Sequence, residues 1–287
     1  MNKNNFFQKI LTLNINDIIY NLKEPLVMGI LNITPDSFYD GGKYNNEFQI
    51  LQRITEMIEH GADIIDVGAV STRPGSKDPG EDEEKRRLVN ALEVIRKNFP
   101  DILLSVDTYR SSVAELVVRE YNVNIINDIT AGRYSDNMFS TIAKLGVPYI
   151  MMHMQGTPET MQLNPIYDNV IIDIINFFKE RINKAREAGI KDIIIDPGFG
   201  FGKTLEHNYI ILKNLDVFNI FELPILIGVS RKSMIFKLLD TSPDKALNGT
   251  SVIHTIALLK NVNILRVHDV KEAKEVIKIV EFFKNCI

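Results

Sequence analysis

A single (β/α)8 barrel is the fold class this sequence predicts, and three observations carry it. Eight short apolar runs, rich in Val and Ile, each stop at polar, acidic or Gly residues: Leu26–Asn32, Ala62–Asp66, Ile102–Asp107, Asn124–Asp128, Val147–His153, Asp192–Asp196, Pro224–Ser230 and Asn263–His268. The segments between them are long enough and periodic enough to be helices. Strands that alternate with helices make a parallel sheet, and eight is the number that closes one into a barrel. No linker, low-complexity tract or change of composition interrupts the 287 residues, so they read as one domain. A doubly wound open sheet would want GxGxxG after its first strand, and the NITPDSF that stands there contains no Gly.

Taken in order, residues 1–24 read as an arm or short strand pair closing the barrel bottom, and 25–287 as the barrel itself. Phe48, Leu51, Ile54 and Ile58 keep helical spacing up to Gly61, a C-terminal cap. The acidic stretch Glu81–Glu84 suits the positive start of a second helix, which carries Leu88, Leu92 and Ile95 and stops before Pro100. Ser111 is placed to cap a third, with Val113, Val117 and Val118 toward the sheet. Met138–Leu145 ends at Gly146. The longest helix is expected over Tyr167–Ala188, followed by Leu205–Phe218, Ser233–Leu239, Lys245–Lys260 and Lys271–Phe283.

Hydrophobic residues make up 45% and charged residues 24%, the balance of a globular protein with a large core. A net charge of −4 gives no reason to expect a nucleic acid or anionic membrane as partner, so an anionic small substrate needs its own cationic pocket. The lone Cys286 cannot form an internal disulfide, which fits a reducing compartment. The N-terminal residues lack the apolar core of a signal peptide. No run approaches the roughly 18 apolar residues of a membrane helix. A cytoplasmic location is expected.

The residues that end the strands share one rim, where barrels place their chemistry. Asn32 either caps a Pro-Asp turn or offers its amide oxygen to Mg²⁺. After Asp66 comes Ser71-Thr72-Arg73-Pro74-Gly75, whose hydroxyls and guanidinium can receive phosphate oxygens or can simply be solvated. The KDPGEDEE that follows reads as a solvated lead-in to a helix. SVDT aims Asp107 into the mouth. Of Asn127 and Asp128 only one can point inward, the other capping the next loop. His153 is either a general base or, more commonly at such a position, a hydrogen-bonded barrel residue. Met151 or Met152 suits packing on a flat ligand. In DPGFGFGK, Gly198, Gly200 and Gly202 alternate with Phe199 and Phe201, a spacing that is not a Walker loop. Such glycines admit close backbone approach and the Phe rings offer aromatic faces, while Asp196 suits an amidine-like N–H pair. Ser230, Lys232 and Ser233 leave a turn at a helix start. Arg266 and His268 share one strand face, as an anion clamp or, for Arg266, as a surface ion pair.

The motifs GILNITPDSF, STRPGS, SVDT, NDI, MHMQG, DPGFGFGK, GVSRKSMI and RVHDV follow one another in an order that resembles the dihydropteroate synthase family, across about residues 25 to 285. The resemblance implies joining of 6-hydroxymethyl-7,8-dihydropterin diphosphate to 4-aminobenzoate, with release of pyrophosphate, in folate biosynthesis. It implies a pterin pocket of Asp107, Asn127, Met152, Asp196 and Lys232. Diphosphate and Mg²⁺ would take Asn32, Thr72, Arg73, Arg266 and His268, and aminobenzoate Thr72, Pro74, Phe201 and Ser233. It also implies a homodimer. One departure stands out: where the family usually has Gly-Gly-Glu before STRPG, this chain has Gly68-Ala69-Val70.

No strong base is required by this chemistry. A neutral arylamine is already nucleophilic, and pyrophosphate leaves well once its charge is neutralised, so an SN1-like substitution is expected. Two rivals remain. One is a pterin barrel moving a methyl group from a methylated tetrahydrofolate to a corrinoid, which has no use for a diphosphate clamp. The other is a barrel that binds pterin without turnover.

Overall fold

The computed structural model describes residues 11–34, 43–71, 78–157, 160–161 and 165–286. A hairpin of β1 (Thr12–Ile15) and β2 (Ile18–Asn21) comes first, then β3 (Leu26–Asn32), α1 (Lys43–Glu59), β4 (Ile64–Gly68) and α2 (Glu81–Asn98). The alternation continues with β5 (Leu103–Asp107), α3 (Ser111–Tyr121), β6 (Ile125–Asp128), α4 (Met138–Leu145), β7 (Tyr149–Met152) and α5 (Val170–Glu187). It ends with β8 (Ile193–Asp196), α6 (Leu205–Lys213), β9 (Leu226–Ile227), α7 (Ser233–Phe236), α8 (Leu247–Leu259), β10 (Ile264–Val267) and α9 (Val270–Asn285).

Strands β3 to β10 form one parallel sheet in the order β8-β7-β6-β5-β4-β3-β10-β9. It closes where Ile195 bridges Ile225, with the Ile195 N–H donating to the Pro224 carbonyl at 3.0 Å. Alternation along each strand sorts two cores. Outward residues such as Val27, Ile65, Val106, Ile126 and Leu265 pack with Ile54, Leu88, Val117, Phe178 and Val280 of the helices. Inward ones, Met28, Ile64, Ile125, Ile150, Ile194, Leu226 and Ile264, fill the lower barrel together with Leu13, Ile15 and Leu22 of the hairpin. Asn16 and Asp17 turn that hairpin with φ of 52° and 61°, the positive pair a two-residue type I′ turn needs.

Where the elements differ from expectation, a local bond accounts for it. The Ala62 N–H still closes α1 on the Met57 carbonyl at 2.8 Å, so β4 starts at Ile64 and runs on to Gly68 instead of ending at Asp66. Pro224 cannot donate to a ladder. The next N–H, of Ile225, goes to Asn263 Oδ1 at 2.9 Å, leaving β9 two residues long where seven were expected. Ser111 lies inside α3 and does not cap it; Arg110 holds the capping position with no side-chain bond. Asn169 caps α5 through Oδ1, accepting from Ile171 and Ile172, so that helix begins after Tyr167. The α6 segment breaks at Asn214 into a 3-10 turn over Leu215–Phe221, and α7 stops at Phe236. No helix among the described residues is long and apolar enough to cross a membrane.

Candidate active site

Register brings the polar strand ends together. Asn32, Gly68, Asp107 and Asn127 stand level across β3, β4, β5 and β6, and Met152 is level with Asp196 across β7 and β8. At Gly68 a Cβ would lie 3.4 Å from Asn32 Oδ1 and 3.8 Å from the Asp107 Cβ. The missing side chain therefore keeps a slot open between those two groups.

Arg266 crosses the barrel instead of lying on the surface. Its Nε donates to Asp66 Oδ2 at 2.6 Å and its Nη2 to Asp107 Oδ2 at 3.3 Å. Asp66 Oδ2 also accepts from Asn127 Nδ2 at 3.2 Å. Because β4 runs past it, Asp66 is fully buried one layer beneath the rim at which a strand ending there would have placed it, and it holds Arg266 and Asn127. Its Oδ1 and the hydroxyl of Ser105, level with it on β5, have no partner among the described residues. Of the adjacent pair, Asn127 points in. Asp128 points out and accepts from Thr130, Gly132 and the Tyr149 hydroxyl, tying down the next loop.

The charges in the mouth are held in tension. Burial raises Asp107 to about 7; Arg266 opposes the rise, and Asp66, Glu84 and Asp128 add to it. Asp196 is likewise raised by burial, against the pull of Lys232 and the Gly198 N–H. Lys232 falls to about 8, again through burial and against the favourable charge of Asp196. Arg266 ends above its ordinary value because Asp66 and Asp107 outweigh its burial. Burial and the Arg266 charge push His268 down to about 4. His268 is therefore a neutral hydrogen-bonding group here, and the pair Arg266/His268 carries one cation, not two.

The loop after β8 and the turn before α7 flank these groups. Gly198 N–H donates to Asp196 Oδ1 at 2.7 Å. Lys232 Nζ donates to the Phe199 carbonyl at 2.5 Å and lies 4.4 Å from the centre of the Phe201 ring. Met152 packs with Ile129, Met154 and Met161, and Phe201 and Tyr109 lean on that cluster. Ser233 opens α7 directly after Lys232. His153 is no base. Its Nδ1 faces Lys203 Nζ at 3.0 Å, its ring is walled by Phe177 and Tyr167, and burial keeps it neutral.

Thr72, Arg73 and Pro74 lie outside the described residues, which resume at Asp78. There the lead-in read as solvated proves to be engaged: Arg110 binds both oxygens of Asp78 and the buried Glu84, and the Tyr109 hydroxyl donates to Asp78 at 2.6 Å. Further braces went unread in the sequence. Arg231, at φ 56°, makes a two-pronged pair with Asp269 at 2.6 and 2.9 Å. The His268 N–H donates to Ser230 Oγ at 3.2 Å, and Arg53 donates to the His268 carbonyl. The available signal was adjacency: Arg231 precedes Lys232 and the oppositely charged Asp269 follows His268.

The closed barrel gathers two carboxylates, two amides and two cations at its C-terminal mouth, the end where barrels of this kind carry their chemistry. Residues 28–268 match the family model described as pterin binding enzyme. The chain is 43% identical over 263 residues to the dihydropteroate synthase of Escherichia coli K12, covering 91% of this chain and 92% of that one. It superposes on the Yersinia pestis dihydropteroate synthase in its sulfonamide complex with a TM-score of 0.89 at 42% identity, covering 96% and 100% of the two chains. The Thermus thermophilus dihydropteroate synthase bound to 4-aminobenzoate superposes with a TM-score of 0.84 at 36% identity, covering 95% and 99%. The chain belongs to the dihydropteroate synthase family of pterin-binding enzymes.

Proposed function

We propose that this mouth condenses 6-hydroxymethyl-7,8-dihydropterin diphosphate with 4-aminobenzoate, releasing pyrophosphate and 7,8-dihydropteroate. The observation that carries the reading is Arg266 strung between Asp66 and Asp107, with Asp196 and Lys232 opposite. Asp107, Asp196 and Asn127 supply acceptors and a donor for the edge of the pterin ring, and Met152 lies against its face. Lys232 bonds to the ring beside Asp196. As the C–O bond at the pterin methylene breaks, positive charge spreads into the ring, and carboxylates in a water-poor mouth stabilise it far better than water would. Arg266, with its Nη1 unpaired among the described residues, and His268 as a neutral donor meet the departing oxygens. Phe201, Ser233, Thr72 and Pro74 would seat the aminobenzoate, and Arg73 would join the diphosphate contacts.

The donor set also bears on Mg²⁺. Among the described residues no three His, Cys, Asp or Glu gather to cage a metal. A lone amide oxygen at Asn32, facing the slot over Gly68, suits an ion that keeps most of its shell as water and phosphate oxygens. Asn32 would then hold Mg²⁺, whose contribution is neutralisation of the leaving pyrophosphate. A homodimer belongs to the same reading. Val252, Ile256 and Leu259 line one face of α8 and are exposed, with Phe282 and Phe283 exposed on the adjacent α9. So does a cytoplasmic setting, supported by the single cysteine.

The deciding experiment mixes both substrates with Mg²⁺ and follows pyrophosphate. Release that depends on aminobenzoate is expected. Pterin binding with no release would make the protein a binding barrel, and methyl transfer from methyltetrahydrofolate to a corrinoid would make it a methyltransferase.

A further inference from the structure

One buried amine, which burial holds well below the usual lysine range, sits just outside the chemistry described above. Lys203, the last residue of DPGFGFGK, is 4% exposed. Its Nζ lies 2.8 Å from the Gly198 carbonyl, 3.1 Å from that of Phe201, 3.0 Å from His153 Nδ1 and 3.3 Å from the His153 carbonyl. The one nitrogen thus has four polar partners, two on the β8 loop and two on the residue that follows β7. The same two segments press together elsewhere. A Cβ on Gly198 would fall 1.9 Å from the His153 carbonyl oxygen, and one on Gly202 would fall 2.5 Å from that of Gln155. Such contacts leave the loop one seat, and the Lys203 amine fastens it there.

We propose that Lys203 and His153 form a brace that positions Phe201 and the Gly198 N–H, making Lys203 a positioning residue for the arylamine half of the reaction. The consequences follow from what the braced atoms touch. Phe201, whose carbonyl Lys203 holds, faces the Lys232 ammonium at 4.4 Å. Gly198, whose carbonyl it also holds, donates to Asp196 at 2.7 Å. Lys203 itself is bonded to backbone and His153, so it acts through these groups. The brace also accounts for His153. Its Nδ1 is paired with the Lys203 Nζ at 3.0 Å and its carbonyl accepts from the same nitrogen at 3.3 Å. This inference rests on the synthase reading for its kinetic arm only.

The test combines kinetics with hydrogen exchange on the full chain. In Lys203→Met, KM for 4-aminobenzoate is expected to rise roughly tenfold while KM for the pterin diphosphate changes less than about threefold. Phe201→Ala should behave alike, and the double variant should be no worse than Phe201→Ala, because residues acting through one another are not additive. Lys203→Gln, which keeps an N–H₂ donor group on a shorter stem, should fall between Met and wild type and serves if Lys203→Met does not fold. Amide exchange over residues 197–204 should quicken at least roughly tenfold in Lys203→Met or Lys203→Gln without any ligand. Effects of Lys203→Met and Phe201→Ala that multiply in the double variant, or exchange that stays at the wild-type rate, overturn the brace. A wild-type protein that releases no pyrophosphate sinks the synthase reading, and the exchange measurement still tests the brace.

Discussion

The two ends of this barrel are built from the same strands and obey opposite rules. At the bottom, Met28, Ile64, Ile125, Ile150, Ile194, Leu226 and Ile264 meet Leu13, Ile15 and Leu22 in apolar packing. A few residues further along the same strands, carboxylates, an amide and a guanidinium crowd a half-buried mouth. Asp107 is driven to about 7 and Lys232 to about 8, while Asp66 Oδ1 and Ser105 Oγ lack partners among the described residues. The floor supplies stability by burial, and the mouth gives some of it up to hold charge where the proposed reaction would use it.

The largest effect should come from cutting the mouth's central link. Arg266→Ala is expected to lower turnover roughly 10²–10³-fold, the usual loss for one electrostatic contact in a transition state. It should also lower thermal stability, because Asp66 is left buried beside an empty site; breaking such a pair typically costs about 3–5 kcal/mol. Steady-state kinetics with Mg²⁺ at saturating substrate and a melting curve check both halves. Near-normal turnover in that assay would remove Arg266 from the charge placement proposed for the mouth.

The floor should respond on one axis only. Ile64→Ala opens a cavity in a close-packed layer and is expected to cost about 2–5 kcal/mol of stability. Its kcat/KM, measured well below the new Tm, should stay within about twofold of wild type. A large kinetic defect with an ordinary melting point would mean that the two ends are coupled, and the contrast drawn between them would fail.

How far the sequence discloses each end follows from the same physics. The floor is legible because burial selects apolar side chains with period two, so β3 is read to the residue and the hairpin's alternation shows at Leu13 and Ile15. Boundaries go astray where one hydrogen bond overrides pattern, as at Ala62, whose N–H stays with α1, and at Pro224, which shortens β9. In the mouth, residue type and strand-end position suffice to gather Asn32, Asp107, Asn127, Asp196, Lys232, Arg266 and His268. What stays hidden is depth and partnership. Asp66 drops a layer because β4 runs two residues further, and His268 is pushed down to about 4 chiefly by burial, with Arg266 on the same strand face adding to it, and that depth is what no spacing reveals. Pairs such as Arg231–Asp269 and Arg110–Glu84 join residues 38 and 26 positions apart, beyond any local periodicity.

The mouth should also show its strain through pH. Asp107 lies at about 7 in the fold against an ordinary 3.8, so it favours the folded state fully only below its unfolded value, and that contribution is lost as pH rises through 7. Asp107→Asn, neutral throughout and still able to accept from Arg266, should therefore gain in Tm over wild type between about pH 5 and 8 and gain nothing near pH 3. Activity should move the other way, because the neutral amide is a weaker acceptor for a ring acquiring positive charge. In the wild type, kcat/KM should rise with pH as Asp107 ionises near 7 and decline as Lys232 loses its proton near 8, a narrow bell. An acid limb near 4 would instead implicate His268. Melting curves and initial rates across roughly pH 3 to 10 separate these outcomes.

The smallest effect belongs to the outer scaffold, which serves neither end directly. Asn169 accepts from the Ile171 and Ile172 N–H groups at 3.1 and 3.2 Å and starts α5, the helix that buries Ile174 and Phe178 against the barrel. Asn169→Ala removes that acceptor and returns two N–H groups at an exposed helix end to water, for which the typical cost is about 1 kcal/mol. Neither floor nor mouth loses a contact, so both substrate KM values and the pH limbs should stay where they are. If the limbs moved with this substitution, α5 would be transmitting strain to Asp107 through Asp128, Tyr149 and Arg181, whose guanidinium donates to the Ala131 carbonyl at 2.8 Å. Unmoved limbs beside a lowered Tm confine the mouth's strain to the strands that carry it.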